Sequence, residues 1–236
     1  MRISVKNNAD AIIFHTAICF GAKANSHYGR REIACANFSS PLRDKSLRNE
    51  DNMNFTYESE RLFLRVLDKN SAPMVLDFLS KNSDYFEPYE AEKPPNYYTL
   101  KYQSVSLRLE YNAFIKNSYA RFYVFTKNEP DRIIGTISFG NMHKFPFFST
   151  SIGYKFSKTV WGNGYAAESI ICASSAIFKD GGFHRIEAYV MPDNLSSVKV
   201  LENAGFEYEG IAKSSIRVCG EYKDHAQYAL INPYKE

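Results

Sequence analysis

Long apolar runs, paired cysteines and a surplus of one charge are all missing from this 236-residue chain. No stretch of 18 apolar residues occurs, so no membrane-spanning helix is expected. The four cysteines (Cys19, Cys35, Cys172 and Cys219) are scattered and form no CxxC pair. That argues against a disulfide framework or a zinc site, and for a reducing, cytoplasmic setting. The net charge is only +3, and residues 1–52 carry all of it, with eight Lys/Arg against five Asp/Glu; the remaining 21 and 21 cancel. A neutral body offers no basic stripe to a nucleic-acid backbone. Tryptophan occurs once, against 17 Tyr and 18 Phe, which points to thick aromatic packing. There is no internal repeat and no low-complexity tract.

The first 52 residues read differently from the rest. "MRISVKNNADAIIFHTAICFGAKANS" has a basic start, an apolar stretch and an Ala22-Lys23-Ala24 that resembles a signal-peptidase site. Asp10 and His15 interrupt the apolar stretch, and no strand or helix period follows it. Residues 1–52 are therefore expected to be a poorly ordered extension, with Met53 as an alternative start. Residues 53–236 are expected to form one domain, as a monomer or a homodimer.

From Met53 the periodicity sharpens. Residues 61–67 alternate as a half-buried strand does, and residues 70–82 have helical spacing, with Asn70 or Ser71 as cap and Pro73 in the first turn. A proline- and tyrosine-rich loop covers 84–99, and a second helix covers 100–117. Strands are expected at 120–127, 132–142 and 149–157, separated by turn signals in a meander. A helix over 166–179 ends at Gly181-Gly182. A strand over 184–191, a helix over 194–203 and strands over 205–213 and 224–231 complete the chain. This order predicts a mixed α/β (α+β) fold.

Between the third meander strand and the late helix lies "KTVWGNGYAAES" (158–169). A glycine-rich turn entering a helix can bind phosphate, because free N–H groups and the helix dipole face the anion. Taken alone, it is more readily a plain strand-to-helix connection. Two further blocks decide the matter: "HRIEAYVMPDNLSSVKVLENAGFEYEG" (184–210) and "GEYKDHAQYAL" (220–230). In order and spacing, the three blocks resemble the GCN5-related N-acetyltransferase (GNAT) superfamily, and within it the RimJ/RimL branch of ribosomal-protein N-terminal acetyltransferases. The likeness spans about residues 57–231.

The resemblance implies a central, twisted, mostly antiparallel sheet with helices on both faces, and acetyl-CoA as co-substrate with no metal. It implies that the turn Trp161, Gly162, Asn163, Gly164, Tyr165 and Ala166 holds the pyrophosphate. It further implies that Asn194 bonds the pantetheine arm, a role compatible with capping a helix. The resemblance also implies that the backbone of Tyr189, Val190 and Met191 lies beside the thioester and holds a developing oxyanion. The family pattern is R/Q-x-x-G-x-G/A, and Thr159 stands at the Arg/Gln position; Lys158 next to it is the residue that would compensate.

Catalysis implied by the family is direct attack of an amine in a ternary complex. A protein α-amine has a pKa of about 8 against about 10.4 for lysine, so a modest base acting through water suffices. The candidate base is Glu187, on the face shared by Tyr189; a structural role for it is equally open. Relatives with a Glu at Tyr189 or at Ile216 are not matched here. Ser197 is the candidate proton donor to the leaving thiolate, and Tyr222 a candidate acid or substrate-side group. Glu168 is expected to position rather than to take protons, Cys172 to lie in the core, and Asp224 and His225 to fix the last strands or to take part in chemistry. The acceptor stays open between a protein N-terminus and a small amine such as a polyamine or aminoglycoside. The loop with Glu87, Glu90 and Glu92 would suit a cation. A non-catalytic acetyl-CoA-binding module is a third reading.

Overall fold

Nine strands and five α-helices form among the described residues, Ala36–Asn37 and 53–234 of a computed structural model. The chain runs β1 (Ala36–Asn37), β2 (Thr56–Glu58), β3 (Leu62–Arg65), α1 (Ala72–Lys81), α2 (Ser83–Phe86) and α3 (Leu100–Ile115). It continues through β4 (Ala120–Thr126), β5 (Ile133–His143), β6 (Ser149–Phe156), α4 (Tyr165–Lys179) and β7 (Arg185–Val190). Then α5 (Leu195–Asn203), β8 (Glu207–Val218) and β9 (Glu221–Ile231) close the fold. The strands form one sheet in the order β1-β2-β3-β4-β5-β6-β7-β9-β8. Every pairing is antiparallel except β6 with β7. The remaining calls on residues 1–52 lie outside the described residues.

Period-two alternation gives the sheet two working faces. On β4, Phe122 and Val124 join the core beneath α4 and α5, where Ile170, Ala173, Ile177 and Leu201 are buried. Tyr123 and Phe125 point the other way, into the core made with α1, α2 and α3 through Val75, Phe86 and Leu107. Phe122 is fully buried between Tyr57 and Phe114, at ring-centroid distances of 5.5 and 6.0 Å. A side chain of that size contributes about 2–3 kcal/mol by leaving water.

Several boundaries differ from the sequence reading, each for a local reason. Asp68, rather than Asn70 or Ser71, supplies the cap: its side chain accepts from the Asn70 N–H and starts a 3-10 turn that runs into α1. The tyrosine-rich loop contains α2 and a 3-10 turn over Glu87–Tyr89. The last two strands are longer than expected and meet in a two-residue turn, with Val218 opposite Glu221. Cys219 and Gly220 both have positive φ, 48° and 83°. That is the geometry a tight hairpin needs, here provided by Cys-Gly instead of the usual Asn-Gly. Cys172 is fully buried on α4. It is disulfide-bonded, contrary to the expectation drawn from cysteine spacing, and its partner lies outside the described residues.

The loop before α3 is fastened to β6 by buried charge. Glu90 is buried, with Oε1 2.7 Å from the Lys155 ammonium and Oε2 2.5 Å from that of Lys93. Burial alone would raise the Glu90 carboxyl, but the two lysines outweigh it and hold the group at about 2, below its ordinary 4.5. Glu90→Gln would leave two buried ammonium groups without their counter-charge, and should cost about 3 kcal/mol in urea unfolding at pH 7. A depressed carboxyl stabilises the fold fully above its unfolded value, and the contribution disappears as pH falls through the folded one. The stability gap between wild type and Glu90→Gln should therefore close between pH 4.5 and about 2, a window readable in parallel acid titrations.

Candidate active site

The site begins where the parallel pair parts. Strands β6 and β7 are in register from Ser149↔Arg185 to Ile152↔Ala188, and there the ladder ends. Both strands nevertheless continue, β6 to Phe156 and β7 to Val190. The facing backbone edges beyond that point, including Tyr189 and Val190, border a cleft instead of a neighbouring strand. On its other edge β7 stays paired with β9 through Val190↔Ala226, so the free edge is held rigidly.

Past the end of β6, a 3-10 turn over Lys158–Val160 leads to the glycine turn. Gly162 and Gly164 adopt φ of +84° and +75°, where a side chain costs about 1–2 kcal/mol. Gly164 is the N-cap of α4 and gives no side-chain cap, so the first-turn N–H groups stay available to an anion. Gly162, Asn163 and Gly164 are all exposed. Trp161 is pinned by its indole N–H to the Phe156 carbonyl at 3.1 Å, and the Asn163 amide donates to the Val160 carbonyl at 3.0 Å. Tyr165 lies under the Arg61 guanidinium, 4.5 Å from its ring centroid, and Ala166 is half-buried next to it. An exposed, uncapped, glycine-lined helix start is a donor set that fits a diphosphate.

Glu168 fixes the direction of α4. Its Oε1 accepts from the Ser59 hydroxyl at 2.7 Å and the Arg61 N–H at 3.0 Å. Its Oε2 accepts from Arg61 Nε at 2.7 Å and Nη2 at 2.6 Å. The buried carboxylate is thus fully engaged in tying the helix start to the turn between β2 and β3.

At the end of β7, Asn194 caps α5: its Oδ1 accepts from the Ser197 N–H and the Ser196 hydroxyl, each at 3.1 Å. Ser197 is buried. Tyr154 reaches it from β6, its phenol donating to the Ser197 carbonyl at 3.1 Å and lying 3.4 Å from Oγ. On the opposite face of β7, Glu187 accepts from Arg185 Nε at 2.9 Å and from the Tyr189 hydroxyl at 3.1 Å. Arg185 is also paired with both carboxylate oxygens of Glu209. One guanidinium thus serves two carboxylates, and the cluster retains a net negative charge. Burial, reinforced by Glu187, pushes the Tyr189 phenol up to about 12, so it remains a proton donor at neutral pH.

Glu187, Tyr189, Val190, Met191, Asn194 and Ser197 therefore gather about the end of β7, and the glycine turn lies past the end of β6. Tyr222 is not among them. It is exposed near the hairpin tip, paired with Arg217, four residues beyond the Ala226 that meets Val190. Glu187 pairs with Ala229, so alternation along β9 sends Tyr222 to the other face. Asp224 and His225 do not bond each other; Asp224 accepts from the Ser214 N–H at 2.7 Å, and His225 Nδ1 lies 3.3 Å from the Ser215 hydroxyl. Both tie β9 to a bulge in β8. Tyr154 and Lys155 escaped the sequence reading because only the strand alternation of "IGYKF", combined with knowledge of the facing elements, distinguishes them.

A parallel pair that parts beside an uncapped, glycine-lined helix start is an arrangement suited to acyl transfer from a diphosphate-bearing carrier. The acetyltransferase (GNAT) domain family matches residues 61–207. The probable N-acetyltransferase YjcK of Bacillus subtilis (strain 168) is 33% identical over 179 residues, covering 76% of this chain and 98% of that protein. The [ribosomal protein uS5]-alanine N-acetyltransferase of Escherichia coli (strain K12) is 28% identical over 176 residues, covering 74% and 90%. Among solved structures, the ribosomal-protein-S5-alanine acetyltransferase of Vibrio fischeri superposes with a TM-score of 0.72 at 28% identity, covering 76% of this chain and 98% of that one. The chain belongs to the GNAT family of acetyltransferases and is an acetyl-CoA-dependent N-acetyltransferase. Among the described residues, no helix is long and apolar enough to cross a membrane.

Removing the Glu168 carboxylate should loosen α4 without unfolding the protein, because Arg61 can turn to solvent. Glu168→Ala is expected to cost about 2 kcal/mol in urea unfolding. Hydrogen exchange should report the earliest added opening in the first turn of α4.

Proposed function

We propose that the enzyme acetylates the α-amine of a protein N-terminus, of the ribosomal-protein type, by direct attack within a ternary complex. The observation that carries this reading is the charge on the acceptor side. Glu90, the buried member of the acidic loop, is outweighed by Lys155 and Lys93, while Glu187 and Glu209 share a single arginine. One surplus carboxylate suits one amine of modest basicity better than it suits a polycation. The uS5-alanine acetyltransferases similar to this chain support the same acceptor class. A ribosomal-protein acceptor implies a cytoplasmic place of action.

Acetyl-CoA supplies an activated acyl group as a thioester. In the proposed site, the N–H groups of Gly164, Tyr165 and Ala166 receive the diphosphate, with Trp161, Gly162 and Asn163 shaping the turn. Asn194 steers the pantetheine arm, and the free edge at Tyr189, Val190 and Met191 holds charge developing on the carbonyl oxygen. Glu187 takes a proton from the ammonium through a water, with Tyr189 and Arg185 fixing its orientation. On the opposite face the Ser197 hydroxyl, held beside Tyr154, gives its proton to the departing thiolate and regains one through water from the attacking nitrogen, so the single proton released overall is the one taken by Glu187.

Thiol release from acetyl-CoA should be fastest with peptides bearing a free N-terminal Ala or Ser, and should vanish when that amine is blocked. Faster turnover of polyamines or aminoglycosides would overturn the acceptor assignment. Glu187→Gln should lower kcat about 100-fold while leaving the Kd for acetyl-CoA unchanged. Gly164→Glu should remain folded by circular dichroism but lose acetyl-CoA binding in calorimetry by at least tenfold, since it places a strained, negative side chain in the turn.

A further inference from the structure

A turn that receives a diphosphate needs counter-charge, and three cations surround this one. Arg61 is close to Gly164, with Nη2 3.6 Å from where a Cβ there would lie. Its charge is already cancelled by Glu168, which holds it by Nε, Nη2 and the backbone N–H. Lys158, the residue expected to compensate for Thr159, is drawn away: its ammonium donates to the Tyr85 hydroxyl at 3.0 Å and sits 4.5 Å from that ring's centroid. It serves the acceptor-side loop.

The third cation is Arg132, from the loop before β5. Because β5 and β6 pair antiparallel with Gly135 opposite Phe156, the start of β5 lies beside residues 157–159. Arg132 Nη2 donates to Thr159 Oγ1 at 2.8 Å, and Thr159 Oγ1 lies 3.0 Å from the Ser157 hydroxyl. The other end, Nη1, meets Glu129 at 2.8 Å in a pair about half exposed on both sides, 51% and 55%. Such a solvated pair holds its arginine weakly, so the guanidinium can turn to a stronger anion. A planar, always-charged fork is the group best matched to phosphate oxygens.

We propose that Arg132, aimed by the Thr159 hydroxyl, is the cation that binds the diphosphate of acetyl-CoA. The long donor missing at position 159 is thereby supplied from a different strand. A short hydroxyl at 159 leaves room for the guanidinium and orients it. The proposal rests on the reading of the glycine turn as the acetyl-CoA site.

Calorimetric titration of acetyl-CoA and 3′-dephospho-acetyl-CoA into four proteins tests it: wild type, Arg132→Ala, Arg132→Lys and the double variant Arg132→Ala/Thr159→Arg. Arg132→Ala should weaken both ligands equally, by about tenfold, with Arg132→Lys in between. The double variant should regain most of the lost affinity, because it returns an arginine to the same turn. Arg132 is half exposed, so circular dichroism and melting should match wild type. Wild-type binding of acetyl-CoA with Arg132→Ala within twofold of it would overturn the proposal alone. A loss confined to the ligand carrying the 3′-phosphate would overturn the diphosphate assignment. Absence of binding by wild type would overturn both the turn reading and the proposal.

Discussion

The parting of β6 from β7 after Ile152 and Ala188 is the constraint on which the rest of the molecule depends. A parallel pair that closed along its whole length would satisfy its own backbone groups and leave nothing for a substrate. Two strands that diverge must be held apart by other structure, since unpaired backbone edges are costly when buried. Here β5 holds β6 through to Phe156, and β9 holds β7 through to Val190. The cleft is therefore a property of the sheet and not of a mobile loop. Acyl transfer benefits from that rigidity, because preorganised donors need no rearrangement when charge develops.

Both strands then deliver their helices to the same place. β6 runs into the glycine turn and α4, and β7 runs into Asn194 and α5. Helix α4 could tilt about its start, and the Ser59–Arg61–Glu168 cluster prevents it with charge-assisted bonds across more than a hundred residues of sequence. Helix α5 is fixed by its own cap and by the Tyr154 phenol, which ties it to β6. Buried polar groups are costly unless fully partnered, so these clusters specify geometry more than they add net stability.

What was legible in the sequence was what is local. The glycine turn at Gly162 and Gly164 ahead of a helix, the Asn194 cap three residues before Ser197, and the shared face of Glu187 and Tyr189 all follow from short-range spacing. The mostly antiparallel sheet with helices on both faces followed from the order of elements and the family resemblance. Long-range partners were not legible. Nothing in the spacing of Glu90, Lys93 and Lys155 reveals that one buried carboxylate sits between two ammonium groups. Lys158 and Thr159 are adjacent, yet one faces Tyr85 and the other Arg132, a divergence only the packed structure decides. The final hairpin was missed because Cys219-Gly220 carries a weak turn signal, although its backbone has the required sign of φ.

The two faces of the sheet also divide the chemistry. Tyr154 and Ser197 belong to the face packed against α4 and α5, while Glu187 and Tyr189 belong to the face toward α3 and the tyrosine-rich loop. In the proposed reaction a proton departs on one face and another arrives on the opposite one, with the thioester lying between them in the cleft. The same division explains the unequal charge treatment. The proposed acceptor face holds Glu90 between Lys93 and Lys155 and pairs Glu110 with Arg121, whereas Arg185 is shared by two carboxylates. Carboxylate in excess of its own counter-charge is thus confined to the Glu187–Glu209 cluster, the point where the proposed reaction takes a proton from the incoming ammonium.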